Sequence, residues 1–331
     1  MGAALWVVVL AVPAAAAEAP AGGFSVPLTC WKNRSCIVQF YPDQRRGAEA
    51  GDYRCGGASY DGHSGTDFRL RHITEMNVGV PVLAAAPGQI LSAVDTYPDL
   101  PVSEASAAGD PAAANGNSVV IDHGEGWQSR YNHLRTGGLK VEVGERVGRG
   151  AILGHVGRSG RANFPHLHFE IIYRGAIMDP FSGSPPQSGC GGEDRPLWTD
   201  EAGRALAYRD GGLLDAGFST LDLSAQEVRA GPPRLRRATW QTETLNFWAS
   251  AFLLNQGDRE EIKLIDPEGK AIGRSSATLN RDQDEWIRTI AVDRPQGGWR
   301  PGMYLGIYQV TRGSADTETM VIDATRALVV R

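Results

Sequence analysis

The sequence predicts an all-β protein made of two domains. In the first half, short apolar segments alternate with turns, and none shows a convincing 3.6-residue apolar period typical of a helix. Gly occupies 41 of the 331 positions, which suits many tight turns and bulges. A chain of this length can bury two cores of ordinary size. We therefore expect two β-domains in succession.

Six glycine-bounded segments of the first half have strand character. They are 67–71, 80–84, 118–122, 129–134, 151–156 and 166–173. The stretch 97–115 is polar, rich in Ala and Pro and without period, so we expect a long surface loop that is either a cleft wall or an insertion without a role. Residues 182–192 have the composition of a linker, which puts the domain boundary near residue 194.

The second half, 195–331, predicts a β-sandwich-like domain, with a short helical connection within 200–228. Its predicted strands are 235–254, 261–265, 286–292, 303–311, 319–322 and 327–330. A packing or spacer role and a role in binding carbohydrate or protein are both open for this domain. Its tryptophans could form a binding surface, although scattered Trp in strands is more often core, and the sequence names no partner.

The N-terminus and the charge indicate where the chain acts. Residues 1–17 combine an apolar run, Ala3 to Val12, with small residues at Ala15 and Ala17, the pattern of a cleaved signal peptide. The run is shorter than the ~20 residues a bilayer requires, so we expect export, periplasmic or extracellular, rather than a transmembrane protein. The formal net charge of −5 gives no excess of positive charge for binding phosphates, so we do not expect a nucleic-acid partner.

The four cysteines favour disulfides over a metal-thiolate site, because an even number in an exported chain is typical of cross-links. Three connectivities are possible. The simplest local bridge joins Cys30 to Cys36, which leaves Cys55 to pair with Cys190. The spacings do not match a zinc knuckle.

Two histidines at alternate positions give the clearest functional signal. In the segment His166-Leu167-His168-Phe169-Glu170, His166 and His168 point to the same side of a predicted strand. His63 and Asp67, much earlier in the chain, lie in a turn that feeds a strand. Because a hydrolytic zinc needs three protein ligands and an open position, His63, Asp67 and His168 are the expected ligands.

Two further imidazoles complete the expected site. Tyr131 and His133 should share a face of the strand 129–134, and His133 and His166 would then be imidazoles near the metal that do not bind it. Such groups can accept a proton or stabilise an oxyanion, although the sequence does not separate the two roles. The remaining histidines have no partner at metal spacing and are expected to be structural; they are His72, His123 and His155.

Four motifs resemble, in order, those of the M23 family of zinc metallopeptidases, the lysostaphin and LytM type. They are Gly62-His63-Ser64-Gly65-Thr66-Asp67-Phe68, Val119-Val120-Ile121-Asp122-His123-Gly124, Tyr131-Asn132-His133-Leu134 and Pro165-His166-Leu167-His168-Phe169-Glu170. The resemblance covers roughly 50–181. It implies an antiparallel LytM-type sheet, Zn²⁺ on His63, Asp67 and His168, and catalysis by His133 and His166. It also implies an endopeptidase that cuts peptide bonds in the stems or cross-links of bacterial peptidoglycan.

Two other interpretations stay open. A LytM-type protein can be a non-catalytic regulatory or binding protein that acts on a cell-wall hydrolase, although retention of both additional histidines favours an enzyme. Separately, the region before Cys55, or the loop 97–115, could cover the metal until cleavage or binding exposes it. These alternatives make different predictions for activity on isolated cell wall.

Overall fold

A computed structural model describes residues 20, 22–29, 37–100, 111–192, 194–314 and 317–331. The predicted signal peptide, the predicted Cys30–Cys36 bridge and most of the predicted loop 97–115 lie outside these ranges. Within them, β-strands dominate and the helices are short, which confirms the all-β fold class. Every helix in the described ranges is too short and too polar to be a candidate membrane span.

The first half of the chain forms an eight-stranded, antiparallel sheet and a separate two-stranded ribbon. Its elements are β1 (Ile37–Phe40), β2 (Thr66–Arg69), α1 (Ile73–Val78), β3 (Pro81–Leu83), β4 (Gly88–Val94), β5 (Asn117–Gly124), β6 (Trp127–Leu134), β7 (Arg146–Val147), β8 (Ile152–His155), β9 (His166–Tyr173) and β10 (Ala176–Met178). The large sheet has the order β1-β2-β9-β6-β5-β4-β7, with β10 paired to β9, and β3 pairs with β8. All six predicted strands are confirmed.

Strand β9 shows why this sheet carries polar chemistry on one face. Leu167, Phe169 and Ile171 are fully buried in the hydrophobic core. The alternate residues His166, His168 and Glu170 therefore lie on the other face. The central place of β9, between β2 and β6, brings side chains from three strands to that face.

The N-terminal segment is part of the core of this half. Phe24 and Leu28 are buried, and Phe24 forms a bridge to Trp198 while Leu28 bridges to Val82. Residues beyond 194, including Trp198, also pack in this core. These contacts fix both ends of the first half against its sheet, and the boundary near 194 stays a prediction.

A disulfide joins Cys55 to Cys190, with 5.2 Å between the Cα atoms and a sequence separation of 135. The predicted pairing of these two cysteines is therefore present. It connects the segment just before the first histidine of the site to the segment after β10.

The described ends of the predicted loop 97–115 are anchored on the sheet. The backbone of Tyr97 bonds to Asn117 in both directions, and the Asp99 carboxylate accepts hydrogen bonds from the backbone of Thr136 and Arg158. A 3-10 turn, Pro111–Asn115, leads into β5. The loop thus leaves and rejoins the sheet close to the end of β6.

The second half is a sandwich of two sheets. Its elements are α2 (Asp200–Ala205), β11 (Gly212–Ser219), α3 (Ala225–Ala230), β12 (Arg237–Ala238), β13 (Thr244–Leu254), β14 (Arg259–Ile265), β15 (Ala271–Thr278), β16 (Gln283–Asp293), β17 (Gly302–Arg312) and β18 (Thr319–Val330). One sheet has the order β11-β13-β16 and the other β12-β18-β17-β14-β15. A second core fills the space between them, including Phe247 from the first sheet and Tyr308 from the second. This confirms the predicted β-sandwich-like architecture.

Several details of the second half differ from the prediction. The region 200–228 holds two helices with β11 between them rather than one helical connection. The predicted strands 319–322 and 327–330 are one continuous strand, β18, because Asp323 and Thr325 are exposed residues of an alternating pattern in which Ala324 is buried. Strand β15 was not predicted, since none of its residues is buried and half of them are polar.

Candidate metal centre

Three side chains from two strands and the turn before them converge on one point. His63 precedes β2, Asp67 lies in β2, and His168 lies in β9 directly opposite Asp67 in the antiparallel register. Asp67 Oδ1 is 3.2 Å from His63 Nε2 and 2.9 Å from His168 Nδ1, and the two ring nitrogens are 3.3 Å apart. All three residues are buried, and their ligand atoms lie within 4.8 Å of one another. The structure therefore brings together the three residues predicted to bind the metal.

In the His63 and His168 rings, the nitrogen outside the cluster already has a polar partner. His63 Nδ1 is 2.8 Å from the carbonyl oxygen of Tyr41, and His168 Nε2 is 3.3 Å from Glu170 Oε1. When the outer nitrogen carries the proton, the inner nitrogen presents a lone pair to the shared point, which is how metal-binding imidazoles are oriented. The donor set of two imidazoles and one carboxylate suits zinc.

Glu170 is a functional candidate that the sequence reasoning did not single out. Its carboxylate accepts hydrogen bonds from Ser64 Oγ at 2.6 Å and from Arg130 Nη1 at 2.8 Å, in addition to its contact with His168. The signal was available in the sequence, because Glu170 continues the alternation of His166 and His168 on one face of β9.

The electrostatics of the cluster favour a cation. Burial acts to raise the pKa of Asp67, but the imidazoles of His63 and His166 hold the pKa of that carboxyl well below its usual range. Burial acts to lower the pKa of His168, yet hydrogen bonds to Asp67 and Glu170 raise that pKa to about 10. A site that holds a proton this tightly between two carboxylates offers the same negative environment to a metal dication, with release of the proton on binding.

His133 and His166 lie side by side next to the cluster. Their ring centroids are 4.6 Å apart, and His166 Nε2 is 3.7 Å from Asp67 Oδ1. Each Nδ1 is 2.8 Å from a backbone carbonyl oxygen, that of Ser159 for His133 and that of Phe164 for His166. With Nδ1 as the donor in these bonds, each Nε2 is left as a basic nitrogen.

Burial also sets the protonation of these two rings. It lowers the pKa of His133 to about 3, helped by repulsion from His166 and His168, and it lowers the pKa of His166. Both imidazoles are therefore neutral near pH 7. A neutral imidazole is the form that accepts a proton.

One sequence-based prediction about this pair is wrong. Tyr131 lies opposite Phe169 and packs on its ring within the core, whereas the His133 ring lies beside His166 on the other face. His133 has a left-handed backbone with φ of 61°, which breaks the alternation at the end of β6. Tyr131 and His133 therefore do not share a face.

An open cavity of about 370 Å³ adjoins His63. Its lining comes from the turn at Gly62 to Ser64, from β10 and from the segment Pro185 to Gln187. Tyr60, 47% exposed, stacks on the His63 ring with the centroids 4.3 Å apart. The cavity is large enough to accept a few residues of an extended peptide next to the cluster.

The other three histidines lie away from the cluster. The His72 ring contacts the Val228 carbonyl oxygen and Asp215, and the His123 ring contacts the Pro87 carbonyl oxygen and Ser129. His155 lies in β8, which pairs with β3 in the separate ribbon. Within the described residues, the one cluster that could hold a metal ion is that of His63, Asp67 and His168.

Comparison with known proteins identifies the region that carries this cluster. Residues 61–180 match the model of peptidase family M23. The chain is 32% identical over 126 residues to the peptidoglycan DD-endopeptidase ShyA of Vibrio cholerae, a match that covers 38% of this chain and 24% of ShyA. It is 31% identical over 114 residues to the cell division protein DipM of Caulobacter vibrioides, which covers 34% of this chain and 17% of DipM.

Among solved structures, the catalytic domain of lysostaphin from Staphylococcus simulans aligns with 45% of this chain and 91% of that domain, at 21% identity and a TM-score of 0.31. The matches to ShyA and DipM span a quarter or less of each relative, so they concern one domain. Residues 61–180, which match the family model, contain all three converging residues and both neighbouring histidines. The similarity to peptidase family M23 is therefore that of residues 61–180.

Proposed function

We propose that this protein is an exported, zinc-dependent endopeptidase that hydrolyses peptide bonds in the stems or cross-links of bacterial peptidoglycan. His63, Asp67 and His168 would hold the zinc, and His133 and His166 would be the catalytic histidines. The observation that carries the proposal is the convergence of three buried donor atoms beside two neutral imidazoles. The proposed peptidase part is 18–194, and the accessory β-domain is 195–331.

The chemistry required is the addition of water to a peptide carbonyl, followed by cleavage of the C–N bond. Zinc bound at this site would supply Lewis acidity, which polarises a carbonyl group and lowers the pKa of water. The Nε2 atoms of His133 and His166 suit the remaining tasks. One Nε2 takes up the proton of the attacking water and later passes that proton to the leaving nitrogen. The other stabilises the charge on the carbonyl oxygen once it carries a proton and can donate a hydrogen bond.

The substrate class and the location rest on separate support. ShyA is named as a peptidoglycan DD-endopeptidase, and it is 32% identical to this chain over 126 residues. Peptidoglycan lies outside the cytoplasm, which agrees with the signal-like sequence 1–17. The Cys55–Cys190 disulfide is of the kind that persists in oxidising compartments.

The first experiment measures metal content and activity on the same preparation. Purified mature protein should hold about one zinc per chain, and it should release soluble fragments from isolated peptidoglycan sacculi. A chelator should abolish the release, and added zinc should restore it. His168→Ala should lose both zinc and activity, whereas His155→Ala, which changes a histidine of the β8 ribbon, should keep both.

The possible results separate the two function classes. Full activity of His168→Ala would refute the proposal. A wild-type protein that binds zinc but releases nothing from sacculi would instead favour the non-catalytic regulator of a cell-wall hydrolase. Mass spectrometry of fragments from peptidoglycans with different cross-bridges would then identify the bond that is cut.

A further inference from the structure

Among the polar contacts between the accessory β-domain and the peptidase part, two sets include a carboxylate of a domain strand. In the first, Arg69 of β2 donates from Nη2 to Glu285 of β16 at 2.7 Å. In the second, His72 contacts Asp215 of β11 at 2.9 Å, and Arg234 also bonds to Asp215. The two sets resemble each other in chemistry, yet only the first leads to the metal cluster.

Arg69 is deeply buried for a charged residue, with 2% of its surface exposed. Its Nη1 donates to Gln39 Oε1 at 2.7 Å, and Gln39 in turn donates to the backbone oxygen of Asp284 at 3.0 Å. Gln39 is neutral, so Glu285 is the hydrogen-bonded carboxylate that compensates the buried guanidinium. A buried cation that loses its partner is strongly unfavourable, and it will move if the surroundings allow.

The Arg69 guanidinium also contacts Phe164, which in turn contacts the His166 ring. Arg69 and His166 are directly opposite each other in the register of β2 and β9, so their side chains lie on the same face. The guanidinium carbon lies 4.3 Å from the centroid of the Phe164 ring, and that ring lies 4.7 Å from the His166 ring. The carbonyl oxygen of Phe164 is also the partner of His166 Nδ1. Phe164 thus contacts His166 twice.

We propose that Glu285 and Arg69 are positioning residues for His166, so that the accessory β-domain completes the geometry of the active site. Glu285 holds the Arg69 guanidinium against the Phe164 ring. Phe164 then fixes the His166 imidazole by ring contact and by its carbonyl oxygen. This inference rests on the proposed function for its kinetic consequence, but the contact between domain and histidine is independent of it.

The kinetic test compares Glu285→Ala and the more conservative Glu285→Gln with Asp215→Asn. Asp215→Asn is the matched control, since it removes a carboxylate from the same domain junction whose side-chain partners, within the described ranges, are His72 and Arg234 rather than Arg69 or Phe164. With the full chain and a soluble muropeptide substrate, we expect Glu285→Ala to lower kcat by roughly 10- to 100-fold, as misplacement of a reacting group does. KM and zinc content should stay close to wild type. The kcat of Glu285→Gln should fall between those of wild type and Glu285→Ala.

A double variant tests whether the two residues act together. Arg69→Gln combined with Glu285→Gln should lose no more kcat than the more damaging single variant, because both act through one contact with Phe164. Additive losses would contradict the proposal. An equal loss of kcat in Asp215→Asn would also overturn it, since the effect would then be general to the junction.

A readout without turnover separates this inference from the proposed function. In ¹⁵N-labelled full-length protein, the His166 ring resonances should shift in Glu285→Ala and Glu285→Gln but not in Asp215→Asn. If the wild type is inactive on peptidoglycan and these shifts occur, the proposed function fails while the coupling stands. Unchanged His166 resonances in both Glu285 variants would overturn the coupling, whatever the activity.

Discussion

Replacing Asp179 by Asn should stabilise the protein at neutral pH. Asp179 follows β10 and is fully buried. Its carboxylate accepts hydrogen bonds from the backbone of Phe181 at 2.8 Å and from Gln44 Nε2 at 2.9 Å, and also from the backbone and the side chain of Ser182. These bonds are not enough to offset burial, which raises the pKa of Asp179 to about 6.

The sign of the effect follows from the direction of this shift. A carboxyl group whose pKa is raised by folding binds its proton more tightly in the folded state. Its contribution to the stability of the fold is therefore favourable below about pH 4. That contribution is lost as the pH rises through about 6. A shift of about two pKa units, at about 1.4 kcal/mol each, costs about 3 kcal/mol at pH 7.5.

Asn keeps the shape of Asp179 without the charge. Its oxygen can still accept from Phe181, and its NH₂ group would face Gln44. The Gln44 amide can turn round, because Gln44 Oε1 is buried and has no hydrogen-bond partner among the described residues. We expect Asp179→Asn to raise the free energy of unfolding by about 1–3 kcal/mol at pH 7.5 and to give no gain at pH 4.

Urea denaturation of the disulfide-intact protein at both pH values measures this difference. Asp43→Asn is the control, since the buried Asp43 carboxylate accepts backbone hydrogen bonds from Arg45, Gly51 and Gly62, and the amide would set an NH₂ group against one of these donors. Asp43→Asn should therefore be less stable than wild type at pH 7.5. A loss of stability in Asp179→Asn at pH 7.5, or a gain of equal size at pH 4, would refute the reasoning.

Three further substitutions probe the site and the core. Glu170→Gln weakens the support of His168 and should reduce zinc affinity by about 10- to 100-fold in competition with a chromophoric chelator; an unchanged affinity would show that Glu170 is dispensable. Gly65→Ala should reduce zinc content, because a Cβ there would lie 2.6 Å from His168 Nε2 and 2.7 Å from the carbonyl oxygen of Phe169. Elemental analysis measures the zinc content. Phe24→Ala should lower the free energy of unfolding by about 3–5 kcal/mol in urea, with a loss under 1 kcal/mol arguing against a core role for the N-terminal segment.

The strand that carries the site was predictable because its sequence has a strict period of two. In β9, His166 and His168 alternate with Leu167 and Phe169, so the polar face could be identified without coordinates. The convergence of His63 and Asp67 with His168 rests on the pairing of β2 with β9. That register depends on contacts about 100 residues apart along the chain, and local pattern does not encode it.

Other features depend on backbone geometry or on distant partners. The position of His133 follows from one left-handed residue at a strand end, which the alternation rule cannot anticipate. The ion pair of Arg69 and Glu285 joins residues 216 positions apart in different sheets. Strand β4 was not predicted, because only Ile90 among its seven residues is fully buried and the apolar signal is weak.

The cross-link between Cys55 and Cys190 turns the stretch that carries the proposed site into a covalent ring. All five residues of the proposed site fall inside that ring, between positions 63 and 168. A protease that cuts once between residues 101 and 110 would therefore leave two pieces that remain a single molecule until a reductant is added. The halves of the site, with His63 and Asp67 on one piece and His133, His166 and His168 on the other, would stay tethered after such a cut.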